Sequence, residues 1–309
     1  MAEPWEAEIP FSTELAVRLI ASQFPELEPV CAEPYGRGWD NVALLVNGEW
    51  VFRFPQRALA QQTMEGELAC LAALPANLPL AVPRPRFVGH PGLGYPWVFS
   101  GYRELTGSTF CRAAVPMDQR IPLAAPLGAF LHALHSLHLE PSVRDTLHGD
   151  RIGRADLQRR LDALHTRLGE IASLPAGINR SILWTRILEL AGTEPWAEAP
   201  RVVHGDFYGR HLIVDAVQRP CGVIDWGDAH LGDPALDLSI AYTLLPPDAR
   251  RPFFDAYGPL DRATMRRAQC KALAYGIILL HYGEQVADAA MAQLGREALS
   301  LTSPSDPAA

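Results

Sequence analysis

Two aspartates on either side of a predicted β-hairpin are the feature that most constrains this chain. Asp206 follows a short apolar strand, and a hairpin then leads to Asp225. Because a hairpin lays its strands side by side, the two carboxylates can converge on one site. Phosphoryl transfer needs such a pair, one carboxylate to accept the proton of the attacking hydroxyl and one to hold a metal. For either aspartate alone, a turn or capping role is the alternative.

The composition is that of a globular protein. With 309 residues, 48% hydrophobic and 20% charged, the chain can bury the cores of two lobes. A net charge of −8 argues against a nucleic-acid partner and against binding to anionic membranes, because both require a basic face. Five scattered cysteines predict reduced thiols. The acidic start and the lack of a long apolar run predict a cytoplasmic protein. We expect a monomer or weak dimer.

The first third of the sequence alternates between helix and strand signals. The predicted elements are a helix at residues 12–24, strands at 30–35, 42–46 and 50–54, a helix at 59–74 and a strand at 97–102. Asn47-Gly48 separates two of these strands, and this dipeptide is a strong hairpin signal. These elements predict a small lobe over residues 1–102.

The remainder of the chain is mainly helical in character. The predicted helices are residues 124–138, 155–172, 178–190 and 263–299. Short apolar strands interrupt them between residues 202 and 226, where the two aspartates lie. The sequence therefore predicts an α+β protein with a helical second lobe over residues 103–301 and a mobile tail over residues 302–309.

Three motifs resemble the aminoglycoside phosphotransferase family, which is related to the protein kinases. The family pattern is H-G-D-x-x-x-x-N, then I-D-x, then G-D-P-x-x-D-L, and this chain has HGDFYGRH, VIDW and GDPALDL in that order. The resemblance implies a bilobal protein-kinase-like fold. It also implies that Asp206 is the catalytic base, that His204 supports it at the catalytic centre, and that Asp233 and Asp237 are structural acids. Asp225 is the implied metal ligand.

His211 departs from the family pattern, which usually has a metal-binding asparagine at this position. Macrolide phosphotransferases of the same superfamily also have histidine there. Mg²⁺ prefers oxygen ligands, so the imidazole of His211 could bind the metal, reach it through water or contact Asp206. If His211 prevents metal binding, the protein would be a nucleotide-binding pseudokinase. A protein kinase is disfavoured because no A-P-E-like segment follows VIDW.

The resemblance extends to the nucleotide side, where ATP or GTP is expected as the co-substrate. Gly38 and Asn41 lie in a loop that would cover the phosphates, because glycine lets backbone approach phosphate oxygens. The only lysine of the chain is Lys271, so Arg53 replaces the phosphate-binding lysine of kinases. Glu67, rather than Glu65, is the expected partner of Arg53. Residues 99–102 are the expected hinge between the lobes, and they include Ser100 and Tyr102.

The acceptor is expected to be a small molecule with a hydroxyl group, such as an aminoglycoside, a macrolide or a metabolite. Aminoglycosides need several acids that converge on their amines, whereas macrolides need mainly apolar area. The candidates for the substrate wall are Asp228, His230, Glu284, Asp288, Tyr208, Trp226 and Tyr282. His211 tilts the expectation towards a macrolide-like substrate by analogy. A second triplet, His148-Gly149-Asp150, is interpreted as a coincidence at the start of a polar helix.

Overall fold

The computed structural model describes residues 8–38, 40–147, 149–150 and 153–302, and these form two compact units. The first unit contains the described residues up to Leu74, Val82–Thr106 and Trp226–Asp228. The second unit contains Pro75–Ala81, the described part of Gly107–Asp225 and the described residues from Ala229 onwards. The predicted tail lies outside the described residues from position 303 on. No helix in the described ranges is both long and apolar enough to cross a membrane.

The first unit is built on an antiparallel sheet with the strand order β1-β2-β3-β5-β4. Its elements are α1 (Thr13–Gln23), β1 (Ala32–Arg37), β2 (Asn41–Val46), β3 (Trp50–Pro55), α2 (Ala58–Ala73), β4 (Pro85–Gly89) and β5 (Phe99–Arg103). Asn47 and Gly48 join β2 to β3 with φ angles of 54° and 65°. Both residues are left-handed, as a two-residue hairpin turn requires, which confirms the predicted hairpin.

Alternation along β3 decides which side chains of the first unit enter the core. Phe52 and Phe54 are fully buried and belong to an aromatic core that includes Phe99. Gly101 lies opposite Phe52 on β5, where a Cβ atom would come within 2.5 Å of the phenyl ring. Since successive strand residues point to opposite faces, Arg53 points away from this aromatic cluster.

The second unit is mostly helical, with two small groups of strands. Its helices are α3 (Phe110–Ala113), α4 (Ile121–His135), α5 (Pro141–Thr146), α6 (Leu161–Glu170), α7 (Arg180–Ala191), α8 (Ala235–Leu238), α9 (Ile240–Thr243), α10 (Pro247–Tyr257), α11 (Arg262–Gln285) and α12 (Ala289–Leu301). Its strands are β6 (Ser108–Thr109), β7 (Arg201–Val203), β8 (Leu212–Val214), β9 (Pro220–Val223) and β10 (His230–Gly232). The hairpin β8–β9 pairs with β6, and β7 pairs with β10.

Two predicted helices differ from the observed ones. The helix predicted for residues 263–299 is divided into α11 and α12, because Ala287 is left-handed (φ 55°) and Asp288 caps the second helix. The two helices pack so closely that a Cβ atom on Gly283 would lie 2.3 Å from the amide nitrogen of Ala292. The helix predicted for residues 155–172 begins only at Leu161, so the residues before it are free to form an irregular loop.

Candidate active site

The loop between β7 and β8 presents Asp206, and Asp237 of α8 holds this loop in place. The fully buried carboxylate of Asp237 accepts hydrogen bonds from the backbone amides of His204 (2.7 Å) and Gly205 (2.9 Å). Nε2 of His135 lies 3.0 Å from the same carboxylate. Gly205 has a φ of 81°, which glycine adopts without strain. These contacts fix the turn that carries Asp206, and Asp237 therefore has the structural role expected of it.

The carboxylate of Asp206 is mostly buried and already accepts two hydrogen bonds. Its Oδ1 accepts one from Nη1 of Arg154 at 2.5 Å and one from the hydroxyl of Tyr275 at 2.6 Å. Burial alone raises the pKa of this carboxyl. Arg154, followed by His211 and Tyr275, outweighs burial and keeps the pKa of Asp206 below its ordinary value. Asp206 is therefore ionised at neutral pH, which is the state that can accept a proton from a hydroxyl.

His204 connects the Asp206 loop to the end of the β8–β9 hairpin. Its Nε2 lies 3.0 Å from the carbonyl oxygen of Ile224, and its Nδ1 accepts a hydrogen bond from the amide of Asp206 at 3.3 Å. The ring is fully buried, and burial lowers the pKa of His204. Both ring nitrogens of this neutral imidazole bind backbone groups. This geometry supports the bracing role of His204.

His211 lies between the two aspartates of the predicted pair. Its Nδ1 is 2.8 Å from the carbonyl oxygen of Asp206, and its Nε2 is 3.3 Å from Oδ2 of Asp225. A carbonyl oxygen only accepts hydrogen bonds, so Nδ1 carries a proton, and in neutral imidazole Nε2 then has a lone pair directed at a carboxylate. Two acceptor atoms at this distance require a proton or a metal ion between or beside them.

The geometry of His211 and Asp225 fits a magnesium ion that also binds a nucleotide. The side chain of Asp225 is 47% exposed, and its backbone is left-handed with a φ of 64°, which turns this residue out of the hairpin. Among the described residues there is no group of three or more histidine, cysteine or acidic side chains that could hold a metal alone. A Mg²⁺ ion that also binds substrate phosphates needs only one or two protein carboxylates, and Asp225 could supply one.

Three further residues contact Asp206 or its neighbours, and the sequence analysis did not assign them to the site. They are Arg154, in the irregular loop before α6, and Lys271 and Tyr275 on α11. Burial and the Asp206 carboxylate raise the pKa of Tyr275 well above its ordinary value, so its hydroxyl remains a donor. Burial, followed by Arg154, lowers the pKa of Lys271 to about 7. The sequence signal that could have identified Lys271 is that the only lysine of the chain lies on a helix face that is otherwise apolar.

In the first unit, Arg53 of β3 forms an ion pair with Glu67 of α2. Both side chains are buried, and the contact joins the sheet to the helix. The structure thus brings together the two residues that the sequence analysis paired, and it leaves Glu65 exposed with Gln61 as its partner at 2.7 Å. An arginine held in this way presents a fixed positive charge to which phosphate can bind.

The predicted phosphate loop is partly described. The amide of Gly38 donates a hydrogen bond to the carbonyl oxygen of Asn41 at 2.9 Å, which closes the turn between β1 and β2. Trp39 lies outside the described residues. Oδ1 of Asn41 is buried and has no hydrogen-bond partner within the described ranges. The side chain of Asn41 is therefore a buried polar group in the loop that the sequence analysis expected to cover the phosphates.

The stretch 99–102, which the sequence analysis expected to be the hinge, lies in β5, an interior strand of the sheet. Ser100 pairs with Arg53 on β3 and with Val88 on β4, and Tyr102 lies between Val51 and Pro85. The hydroxyl of Ser100 lies 3.3 Å from Sδ of Met64. Ladder pairing on both sides engages the backbone groups of these residues within the sheet.

Most of the residues nominated for a substrate wall have other partners. Glu284 binds Arg296 and the amide of Ala172, both at 3.1 Å. Asp288 caps α12 through the amide of Met291 at 3.0 Å. Tyr208 is buried between His211 and Tyr275, His230 is buried, and Tyr282 lies on α11. Trp226, which is buried, and Asp228 belong to the first unit. Tyr208 packs against both His211 and Tyr275, which contacts Asp206.

The sequence matches known phosphotransferases over most of its length. Residues 32–269 match the model of the family described as APH, Phosphotransferase enzyme family. A curated relative is the "Uncharacterized protein YcbJ" of Bacillus subtilis (strain 168), which is 24% identical over 202 residues. That alignment covers 63% of this chain and 63% of the relative.

Solved structures with the same fold include aminoglycoside and macrolide 2'-phosphotransferases. The GDP and kanamycin complex of APH(2")-IIia has a TM-score of 0.68 at 24% identity, covering 93% of this chain and 98% of that one. Macrolide 2'-phosphotransferase MphH from Brachybacterium faecium has a TM-score of 0.63 at 22% identity, covering 94% and 98%. These likenesses confirm the predicted α+β, protein-kinase-like fold.

Proposed function

The chain belongs to the phosphotransferase enzyme family, and from this membership we propose that it transfers the γ-phosphoryl group of ATP or GTP to a hydroxyl of a small molecule. The observation that carries the proposal is the arrangement around His211. This ring contacts the backbone of the ionised Asp206 on one side and the half-exposed carboxylate of Asp225 on the other. A base and a metal ligand held at fixed positions are the parts that phosphoryl transfer requires.

Asp206 is the proposed base. The acceptor oxygen forms a bond to the γ-phosphorus while the bond from that phosphorus to the β–γ bridging oxygen breaks, and the hydroxyl proton passes to Asp206. The lowered pKa keeps the carboxylate ionised for this step. His204 and Asp237 are proposed to position it, because their contacts fix the backbone on both sides of the aspartate.

Asp225 and His211 are the residues that would hold Mg²⁺ together with nucleotide phosphates. When bound, the ion would neutralise charge on the phosphate oxygens. Arg53, held by Glu67, is proposed to bind the phosphates in place of the usual lysine, and Gly38 and Asn41 are proposed to cover them. In a structural neighbour the bound nucleotide is GDP, which supports testing GTP as well as ATP.

The test is nucleotide turnover with a panel of hydroxyl-bearing antibiotics and metabolites, with and without Mg²⁺. Asp206→Asn should lower acceptor-dependent turnover about 10²–10⁴-fold, because the amide cannot accept the proton, and it should retain nucleotide binding. Asp248→Asn changes an exposed aspartate at the start of α10 and is the matched control. Undiminished turnover by Asp206→Asn would refute the assignment.

A pseudokinase is the second candidate, and the Arg154–Asp206 ion pair favours it. An arginine on the base could keep Asp206 from reacting even with nucleotide bound. The two functions differ in Mg²⁺-dependent turnover. A pseudokinase would bind the nucleotide and release it unchanged with every acceptor, whereas the proposed enzyme would consume it with at least one.

A further inference from the structure

We propose that Asp206 accepts the hydroxyl proton on Oδ2, and that Tyr275 and Arg154 are positioning residues that hold Oδ1. This assignment rests on the proposed function and deepens it, because it gives the two oxygens of the proposed base different tasks. In the transfer step Oδ2 gains the proton, and the electron pair of the O–H bond stays on the acceptor oxygen. That oxygen bonds to the γ-phosphorus, and the nucleoside diphosphate leaves with the electron pair of the broken bond.

The two carboxylate oxygens of Asp206 have different surroundings. Oδ1 accepts a hydrogen bond from Nη1 of Arg154 at 2.5 Å and one from the hydroxyl of Tyr275 at 2.6 Å. A carboxylate oxygen has two lone pairs, so these donors occupy both of them. Oδ2 accepts no hydrogen bond from the residues that the structure describes, and it is not one of the buried polar atoms that lack a partner. It is therefore open to solvent, and an incoming proton can bond to it.

Oδ2 lies on the side of the carboxylate where the proposed metal ligands are. It is 4.0 Å from Nδ1 of His211, and the other nitrogen of this ring is 3.3 Å from Oδ2 of Asp225. Nδ1 donates its proton to the backbone carbonyl oxygen of Asp206 at 2.8 Å, so the ring does not occupy Oδ2 of that residue. The oxygen without a donor therefore faces the part of the site where the nucleotide phosphates are proposed to bind.

Tyr275 offers a hydrogen-bond donor at a fixed position. The residue is 3% exposed and lies on α11, a helix of 24 residues. Its ring stacks on Tyr208 with the centroids 5.7 Å apart, and Nζ of Lys271, one turn earlier on the helix, is 4.3 Å from its centroid. Burial and the charge of Asp206 raise the pKa of Tyr275 well above its ordinary value, so the hydroxyl keeps its proton and donates to Oδ1. A ring packed in this way fixes the direction of the carboxylate.

Arg154 lies in an irregular loop, and Asp150 holds this loop. The carboxylate of Asp150 accepts hydrogen bonds from the amides of Arg154 and of Ala155, the latter at 2.6 Å. On the side of α11, Nζ of Lys271 lies 3.5 Å from the carbonyl oxygen of Arg154. Asp150 belongs to the second His-Gly-Asp triplet, which the sequence analysis interpreted as a coincidence. In the structure its carboxylate supports the loop that brings the second donor to Asp206.

Turnover of Tyr275→Phe across a range of pH tests the positioning role. The acceptors are kanamycin, erythromycin and water, and the readouts are kcat and, for the two antibiotics, KM. Above the pKa of Asp206, kcat of Tyr275→Phe should be about tenfold lower than that of wild type with KM nearly unchanged, because Oδ2 is ionised but no longer held in line with the hydroxyl. Arg154→Gln should lower this plateau as well, and Arg154→Lys, which restores a charged donor, should recover part of it.

Two control variants separate positioning from a loss of stability. Tyr95→Phe removes the hydroxyl of a buried tyrosine in the first unit, which donates to the carbonyl oxygen of Pro55 at 2.7 Å. This variant should lose a similar amount of stability and keep the wild-type kcat and pH profile. Arg159→Gln changes an exposed arginine in the same segment as Arg154 and should behave as wild type. Equal losses of kcat in Tyr95→Phe and Tyr275→Phe would contradict the positioning role.

The pKa of the Asp206 carboxyl, followed by NMR on protein with ¹³C-labelled aspartate, tests the two donors without any acceptor. The signal is identified by its absence in Asp206→Asn. The pKa should be higher in Tyr275→Phe and in Arg154→Gln than in wild type, and it should be unchanged in Tyr95→Phe. If these shifts are found but no acceptor is phosphorylated, the two donors stand, whereas the proposed function fails and the role of Oδ2 fails with it.

Three further outcomes overturn the inference. A wild-type kcat in Tyr275→Phe would mean that its hydroxyl does not position the base. A shifted pH profile with an unchanged plateau would limit Tyr275 and Arg154 to an electrostatic effect on Asp206. A crystal structure with ADP, Mg²⁺ and the better of the two antibiotics decides between the oxygens, because an acceptor hydroxyl within about 3.2 Å of Oδ1 rather than Oδ2 would assign the proton to Oδ1.

Discussion

Each unit of the protein contains an arginine–carboxylate pair, and the two pairs differ in how they are held. Arg53 and Glu67 lie on β3 and α2, and their side chains are 9% and 4% exposed. Arg154 and Asp206 lie on loops, and their side chains are 18% and 15% exposed. The first pair joins two regular elements, whereas in the second pair only the Asp206 loop is held by a buried group, the carboxylate of Asp237. The comparison therefore separates a buried pair within a lobe core from a more exposed pair at the proposed base.

The largest expected effect comes from breaking the pair in the first unit. Glu67→Ala removes the buried carboxylate that pairs with Arg53 and should lower the free energy of unfolding by roughly 3–5 kcal/mol. Chemical denaturation of the purified protein measures this change. Glu65→Ala, on the same helix but exposed, should change stability by less than about 0.5 kcal/mol. If the two variants were equally stable, the Arg53–Glu67 ion pair would not stabilise the fold.

A smaller effect is expected in the second unit, where Lys271 adds a buried positive charge. The pKa of Lys271 is about 7 in the folded protein and near 10.5 when unfolded. Between these values the unfolded chain binds more protons, so wild-type stability should rise with pH. Lys271→Met removes this dependence, and its stability relative to wild type should fall by roughly 2–4 kcal/mol from pH 6 to pH 10.

Denaturation curves at several pH values measure this difference. The Arg159→Gln variant, which keeps Lys271, should follow wild type at every pH. A constant difference between Lys271→Met and wild type would mean that this lysine stays charged throughout.

The third prediction concerns the second pair and uses the protonation of Asp206 as its readout. Arg154 is the strongest influence that lowers the pKa of this carboxyl. Because Asp206 must be ionised to accept a proton, turnover should rise with pH through its pKa. In Arg154→Gln this rise should move to higher pH by about one unit or more. The pH dependence of kcat/KM measures the shift, and an unmoved profile in this variant would contradict the ion pair.

The smallest expected effect is that of Tyr275→Phe. The change removes one of the two donors to Oδ1 of Asp206 and leaves Arg154 in place. We expect a loss of about 0.5–1.5 kcal/mol in stability, as for a single hydrogen bond, and a small rise in the pKa of Asp206. Thermal and chemical unfolding measure the first, with Tyr35→Phe, an exposed tyrosine of β1, as the control. If Tyr275→Phe raised the pKa of Asp206 more than Arg154→Gln does, Tyr275 rather than Arg154 would be the stronger donor to this carboxylate.

Local patterns predicted the parts of the site whose information lies in a short stretch of sequence. The Asn47-Gly48 turn sets the register of β2 with β3. Alternation along β3 then places Arg53 on the other face of the sheet from Phe52 and Phe54. The interior position of residues 99–102 could not be predicted, because strand character does not reveal how many neighbours a strand has. Only the sheet order shows that β5 is interior.

The sequence by itself determined the catalytic hairpin, because strand, turn and loop signals close together along the chain bring His204, Asp206 and Asp225 to one end of it. Only the tertiary structure decided which hydrogen-bond donors surround Asp206. Arg154 and Tyr275 are 52 and 69 residues away along the chain. Their contacts depend on how α11 and the loop before α6 pack, and packing between distant segments leaves no periodic trace in a single sequence.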